Sequence, residues 1–169
     1  MSAPFKDPIA HTARLANDKS QPASLESVAA ILTRCKAPLS QDWLGRTKRT
    51  PELDHLLLSD EERNVHLPKL VDELAARLSR SPLPDKDSDA LASLAHGKLR
   101  RKQCYSAALL IHESRILQVT IFGTLHKNLS MLDFSLLLPD VVIIADELDA
   151  QLTQTTDAFT KARPKSAAA

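Results

Sequence analysis

Apolar residues recur along most of this chain in the alternating steps of three and four that place side chains on one face of a helix. Leu25, Val28, Leu32, Cys35 and Leu39 form the first such seam, with Ser24 as its N-cap. Pro38 removes a helical hydrogen bond and crowds the preceding turn, which predicts a kink near Ala37 before the helix resumes through Trp43 to Arg46. Residues 47–65 read as a mixed connection. In it Pro51 opens a short apolar turn at Leu53, Leu56, Leu57 and Leu58, and Ser59-Asp60-Glu61-Glu62 matches a capping box. A second helix starts at Leu67-Pro68, presents Leu67, Leu70, Val71, Leu74 and Leu78 on one face, and ends by Arg80. Beyond the proline-punctuated Ser81-Pro82-Leu83-Pro84-Asp85, a third helix is marked by Leu91, Leu94, Ala95 and Leu99 and is interrupted near Cys104.

A fourth helix runs from Ala107, capped by Ser106, to about Lys127. Leu110, Leu117, Ile121 and Leu125 line one side, while Leu109, Ile116, Val119 and Phe122 cover most of the others, the pattern of a central, buried helix. The fifth helix follows Pro139 with the most regular seam in the chain: Leu138, Val141, Ala145, Leu148, Leu152, Thr155 and Phe159. Such a seam packs knobs into holes, within a bundle or between two copies. Leu148, Leu152 and Phe159 are therefore candidate interface residues, with Val142, Ile143 and Ile144 as leftover apolar positions. The expected fold is all-α, a bundle of about four to five helices with the last two long. It occupies residues 24–162 between a flexible segment, 1–23, and a flexible tail, 163–169.

Composition narrows the function. Alanine and leucine dominate, and 3 glycines and 1 tyrosine leave little for phosphate-cradling loops or an all-β fold. The 22 Lys and Arg nearly cancel the 21 Asp and Glu, so no global field recruits nucleic acid or an acidic membrane. Cys35 and Cys104 lie too far apart in sequence to suggest a disulfide framework or a zinc-ligand spacing, which points to a reducing cytoplasm. No segment reaches the roughly 18 apolar residues of a membrane span. The expectation is a soluble, cytoplasmic protein.

The candidate chemistry centres on His96-Gly97-Lys98-Leu99-Arg100. A glycine inside a helix costs about 1 kcal/mol relative to alanine, so Gly97 asks for close approach of another backbone. Glu113 sits between Leu109 and Leu117, one turn to either side, and a carboxylate in such a place needs a partner. Arg100 and Arg115 are the candidates. A structural ion pair is favoured over a catalytic one, because no nucleophile, second carboxylate or glycine-rich loop accompanies Glu113. His96, His112 and His126 raise the question of a metal or haem. His112 and His126 stand about 21 Å apart along one helix and cannot grip one ion, so neither metal nor cofactor is expected. A haem-binding, globin-like sensor would need an apolar cavity beside His96 or His112. The basic run Lys98 to Lys102, followed by a turn and a helix, permits a helix-turn-helix reading. Against it, the fourth helix spends its surface on Leu, Ile, Val and Phe rather than on groups that read base edges.

Taken in order, His96-Gly97, Arg100, Tyr105-Ser106, Glu113 and Leu117 resemble the N-terminal domain of RsbT co-antagonist proteins of the RsbRD type. Similar domains also precede bacterial sensor histidine kinases. The resemblance runs from about Leu25 to Phe159 and takes in Trp43, the Leu67-Pro68 helix start and Leu148-Asp149. It departs at Cys104, where a glycine is common, and at Gln118, where an arginine often follows the leucine. It implies a helical input domain without enzymatic activity that regulates an output domain, usually a STAS domain or a kinase core. No kinase motif, ATP-binding glycine box or STAS-like strand pattern follows Phe159, so any output is expected on another chain, unless the protein is only an interaction module. The resulting expectation is a non-catalytic cytoplasmic sensor or regulator of bacterial stress or two-component signalling. It would work through a STAS-type regulator or histidine kinase as partner, with a homodimer possible. A haem-type sensor and a helix-turn-helix DNA binder are the alternatives.

Overall fold

The computed structural model describes residues 25–80 and 91–161, and the regular structure there is helical, with no strand. The flexible ends, the Ser24 cap and the Ser81–Asp85 loop expected from the sequence lie outside the described residues. The order is α1 (Val28–Arg34), α2 (Lys36–Lys48), α3 (Pro51–Asp54), α4 (Asp60–Asn64), α5 (Leu67–Ser79), α6 (Leu91–Lys102), α7 (Ala107–Lys127) and α8 (Phe134–Lys161). A 3-10 turn, Leu129–Met131, joins the last two. These are eight α-helical segments among the described residues, rather than four or five, for two local reasons.

The first reason is Pro38. The Cys35 N–H bonds the Ile31 carbonyl at 2.8 Å and the Leu39 N–H bonds the Cys35 carbonyl at 2.9 Å, but the proline has no N–H to offer Arg34. The helix therefore breaks at Cys35, one turn before the ring and slightly upstream of the expected kink. The second is that the mixed connection holds two short helices. Pro51 occupies the first turn of α3, and α4 opens with the capping box read from its sequence. Ser59 Oγ accepts the Glu62 N–H at 3.2 Å while Glu62 Oε2 accepts the Ser59 N–H at 2.8 Å.

Packing follows from these elements. α6 lies along α8, α1 against α5, and α7 against α2 and α8. The core joins Val28, Ile31, Leu32, Leu39 and Trp43 from α1 and α2 to Val71 and Leu74 of α5, Leu117, Ile121 and Leu125 of α7, and Ile144 and Leu148 of α8. A smaller cluster gathers Leu53, Tyr105 and Leu110. The segment before α1 is clasped to the α7–α8 connection, the Glu26 N–H bonding the Met131 carbonyl at 2.6 Å and the Asp133 N–H bonding the Glu26 carbonyl at 3.2 Å.

Four readings are corrected. Leu25 is exposed, outside the first seam. α8 begins at Phe134, before Pro139, where Asp133 Oδ1 accepts the Ser135 N–H at 3.0 Å; the proline then costs one bond inside a 28-residue helix. The buried stripe of α8 is Ile144, Leu148, Gln151, Thr155 and Ala158, so Leu148 serves the chain's own core, while Leu152 and Phe159 are half-buried within the fold. α7 is not covered all round, because Ile111 and Val119 are exposed.

α6 shows the largest departure. It turns Ala92, Ser93, His96, Gly97 and Arg100 inward and leaves Leu91 78% exposed, the reverse of its apolar pattern. Small residues are needed because α6 and α8 almost touch. A Cβ on Gly97 would overlap the Thr155 carbonyl oxygen and come within 2.9 Å of the Ala158 Cβ. Thr155 Oγ1 also donates to the Ser93 carbonyl at 3.2 Å, bonding the two helices directly. Gly97→Ala is therefore expected to destabilise the fold by about 1–3 kcal/mol through overpacking, despite alanine's better helix propensity, as a lower midpoint in urea unfolding. A rise in the midpoint would contradict the backbone contact.

Candidate functional site

The buried face of α6 meets α7 at an ion pair. Arg100 and Glu113 are 1% and 4% exposed, and the guanidinium grips the carboxylate through both oxygens, Nε to Oε2 at 3.0 Å and Nη2 to Oε1 at 2.5 Å. Burying two charges is favourable only when their remaining donors and acceptors are matched. Here the match is complete. The other N–H groups of Arg100 go to Gln103 Oε1 at 2.7 Å, the Glu62 carbonyl at 3.2 Å and the Arg63 carbonyl at 2.6 Å. Glu113 fills its remaining acceptor positions with the Tyr105 hydroxyl at 3.4 Å and His96 Nε2 at 3.2 Å. Since the carboxylate only accepts, His96 carries a proton on Nε2; its Nδ1 is buried with no protein partner.

A second buried guanidinium extends the network. Arg63, 4% exposed, donates Nη1 to the Leu53 carbonyl at 2.9 Å and Nε to the Leu58 carbonyl at 3.3 Å, with Leu56 as a third acceptor. It thereby folds the α3–α4 connection around itself. Its own carbonyl accepts from Arg100, so the connection hangs on the α6–α7 pair.

The turn between α6 and α7 is what aims these groups. The Tyr105 N–H bonds the Arg100 carbonyl at 3.1 Å and the Cys104 N–H bonds the Arg101 carbonyl at 3.2 Å, the two bonds of a Schellman motif. Its left-handed position is Cys104, at φ 62°, a conformation in which an L side chain crowds the carbonyl. The motif usually closes with an apolar contact, but here the Arg100 guanidinium lies 4.9 Å from the centroid of the Tyr105 ring. Ser106 then caps α7 by accepting the Leu109 N–H at 3.2 Å.

Electrostatics reflect this geometry. Burial pushes the Glu113 carboxyl up, but His96 and Arg100 outweigh it and hold the group below the usual carboxylate range. Burial, with Glu113 beside it, raises the Tyr105 hydroxyl and keeps it a donor. His66 meets His96 edge to face, with centroids 5.7 Å apart, and burial followed by the charges of His96 and Arg100 pushes its imidazole down.

Beside the network lies a cavity with about 40 Å³ of water-accessible space, bounded by Trp43, Leu70, His96, Glu113, Leu148 and Gln151. Gln151 Nε2 spans from α8 to the Leu70 carbonyl of α5 at 3.3 Å. A space of this size holds a few waters and is too small for a haem beside His96. Among the described residues no group of three or more His, Cys, Asp and Glu could hold a metal ion.

Of the residues singled out from the sequence, His96, Gly97, Arg100 and Glu113 share this region. Arg115 does not, since it sits exposed on α7 and lines a groove with His112. His126 is exposed as well. Arg63 went unread, because a charged residue in an acidic, capping-box helix looks like solvated surface. No family model, curated protein or solved structure matches this chain.

Two outcomes follow. Cys104→Gly relieves the left-handed position at the entropic cost of a glycine, so a net gain of up to about 1 kcal/mol is expected in urea unfolding. Acid should weaken the fold in two stages. His66 has a folded pKa below its ordinary 6.5, so the unfolded chain takes up the proton first and stability declines as pH falls through that value. Glu113 lies below its ordinary 4.5, so its contribution is present in full above that pH and is lost beneath it. Urea unfolding measured against pH should show both stages, and His66→Gln should flatten only the upper one.

Proposed function

We propose that this chain is a non-catalytic, cytoplasmic regulatory domain of bacterial stress or two-component signalling that acts by binding a partner protein through α8. One observation carries the reading. Phe134, Leu138 and Val142 follow one another at four-residue steps on α8 and are 63%, 78% and 67% exposed. Large apolar side chains aligned on one helical face in water are the mark of a protein contact. In this reading the contact surface is the first turns of α8, because Leu148 is buried in the chain's own core and Leu152 and Phe159 are half-buried.

The resemblance of the His96-Gly97, Arg100, Tyr105-Ser106 and Glu113 series to RsbRD-type input domains supports the same reading and names the partner class, a STAS-type regulator or a histidine kinase. The saturated Arg100–Glu113 pair fits a structural role, since a carboxylate whose acceptor positions are filled by protein has none left for a substrate. Signal would pass as a change in helix packing. α8 is locked to α6 at Gly97 and Thr155, so displacing α6 moves the helix that bears the apolar stripe. Against the haem-sensor alternative, the cavity beside His96 is small and the groove beside His112 is lined largely by arginines. A DNA-reading α7 conflicts with the burial of Leu110, Leu117, Ile121 and Leu125. Among the described residues no helix is long and apolar enough to cross a membrane.

A photocrosslinking amino acid placed at Leu138 or Val142 in cells should capture a STAS-domain protein or a kinase, and one placed at exposed Thr153 should not. Capture of a second copy of the chain would instead identify the stripe as a dimer interface. Equal capture at all three positions would defeat the proposal.

A further inference from the structure

On the far side of α7 from the ion pair, α2 and α7 enclose an open groove with about 330 Å³ of water-accessible space. Arg46, Arg49, His112 and Arg115 line it, over an aliphatic floor of Ile116 and Val119. Arg46 is paired with Asp42 of its own helix at 3.2 Å, and Lys127 shares that carboxylate at 3.5 Å. Among the described residues, the side chains of Arg49, His112 and Arg115 have no hydrogen-bond or ion-pair partner. Some exposed cations elsewhere do find carboxylates, as Lys36 does with Asp72 and Lys48 with Asp60, both at 2.7 Å. The whole chain carries a formal charge of only +1, so the excess in this groove is local.

We propose that this groove docks a short acidic segment of a partner protein, one that sets an aliphatic side chain between its carboxylates. Guanidinium groups bind carboxylates through paired hydrogen bonds, and Arg49 and Arg115 stand on opposite walls with no acceptor among the described residues. The floor decides the class of partner. Val119 is 46% exposed, and Ile111, outside the lining but one turn before Arg115 on the same helix, is 55% exposed. A leucine or isoleucine covers such a surface, whereas a nucleic-acid backbone offers nothing to it and needs a longer basic track. The volume lies at the lower end of the roughly 300–1,000 Å³ of ligand clefts, which suits a few residues of a peptide. This inference is independent of the apolar stripe on α8, and either surface can fail without the other.

The test is an NMR titration of the ¹⁵N-labelled full chain with a blocked hexapeptide of sequence Asp-Glu-Leu-Glu-Leu-Asp. Three further probes accompany it: its carboxamide counterpart, a version with serine for leucine, and a single-stranded oligonucleotide. The acidic peptide should shift the amides of Arg49, His112, Arg115 and Val119, with a Kd below about 1 mM. The Arg49→Glu/Arg115→Glu variant should weaken it at least about tenfold, and so should the carboxamide peptide. Both positions are exposed, so the variant is expected to fold; should its spectrum lose dispersion, Arg49→Gln/Arg115→Gln takes its place. Shifts confined to other surfaces, or a charge-reversed variant that binds as well as the parent, would overturn the proposal. Equal binding of the serine peptide would remove the aliphatic element, and tighter binding of the oligonucleotide would reassign the groove to nucleic acid.

Discussion

The buried pair of Arg100 and Glu113 is the constraint around which the rest of this structure is arranged. A guanidinium has five N–H donors and a carboxylate about four acceptor positions, and in a protein interior each unmatched one is penalised. The chain meets that demand by drawing partners from separate segments. Carbonyls come from Glu62 and Arg63 at the end of α4, an amide from Gln103, a hydroxyl from Tyr105 and an imidazole from His96. The consequence reaches beyond the pair, because the α3–α4 connection, whose Leu53, Leu56 and Leu58 pack in the smaller apolar cluster, is also held by the two arginines. Leu57 at its tip is fully exposed. Hydrophobic burial builds the bundle of α1, α2, α5, α7 and α8, while polar satisfaction positions what is attached to it.

The same pair explains why the sequence of α6 misleads. Periodicity places its leucines inside, yet the helix must present Arg100 and His96 to Glu113 and bring Gly97 against the backbone of α8. These requirements share one face, at positions 93, 96, 97 and 100, and they leave Leu91 outside. Hydrophobic pattern locates a core when apolar contact is the strongest demand on a helix. It fails where a buried charge and a backbone contact compete for the same face. The residues that set the true orientation, a mid-helix glycine and a carboxylate flanked by leucines, were visible in the sequence. What the sequence did not contain was their joint direction.

Other parts of the fold were legible to different depths for similar reasons. The limits of α7, the Ser106 cap, the capping box at Ser59 and the start of α5 rest on hydrogen bonds within a few residues, and local chemistry determines them. The Arg100–Glu113 pair could be inferred because a carboxylate among leucines has few ways to be satisfied. Arg115 was the second candidate on paper, two residues from Glu113, but on a helix that spacing points the side chains apart, and Arg115 faces the groove. Arg63 could not be inferred, since its partners are the carbonyls of an irregular connection. The start of α8 was misplaced because Pro139 reads as a boundary, although one lost bond is tolerable when Ile144, Leu148 and Ala158 anchor the rest of the helix.

α8 combines two properties that are rarely useful apart. Its middle and end are fixed, by Ile144 and Leu148 in the core, by Gln151 to α5 and by Thr155 to α6. Its first turns carry the exposed Phe134, Leu138 and Val142, and the clasp between Glu26 and the residues on either side of Leu132 ties the entry of the helix to the start of α1. A rigid rod anchored along one part of its length and bearing apolar groups on another transmits displacement without having to refold. The close contact at Gly97 matters in that respect, because helices meeting backbone to backbone have little slack, so a shift of α6 is passed on rather than absorbed by side chains. The pair that holds α6 in place therefore also sets the resting position of the surface through which this chain is proposed to act.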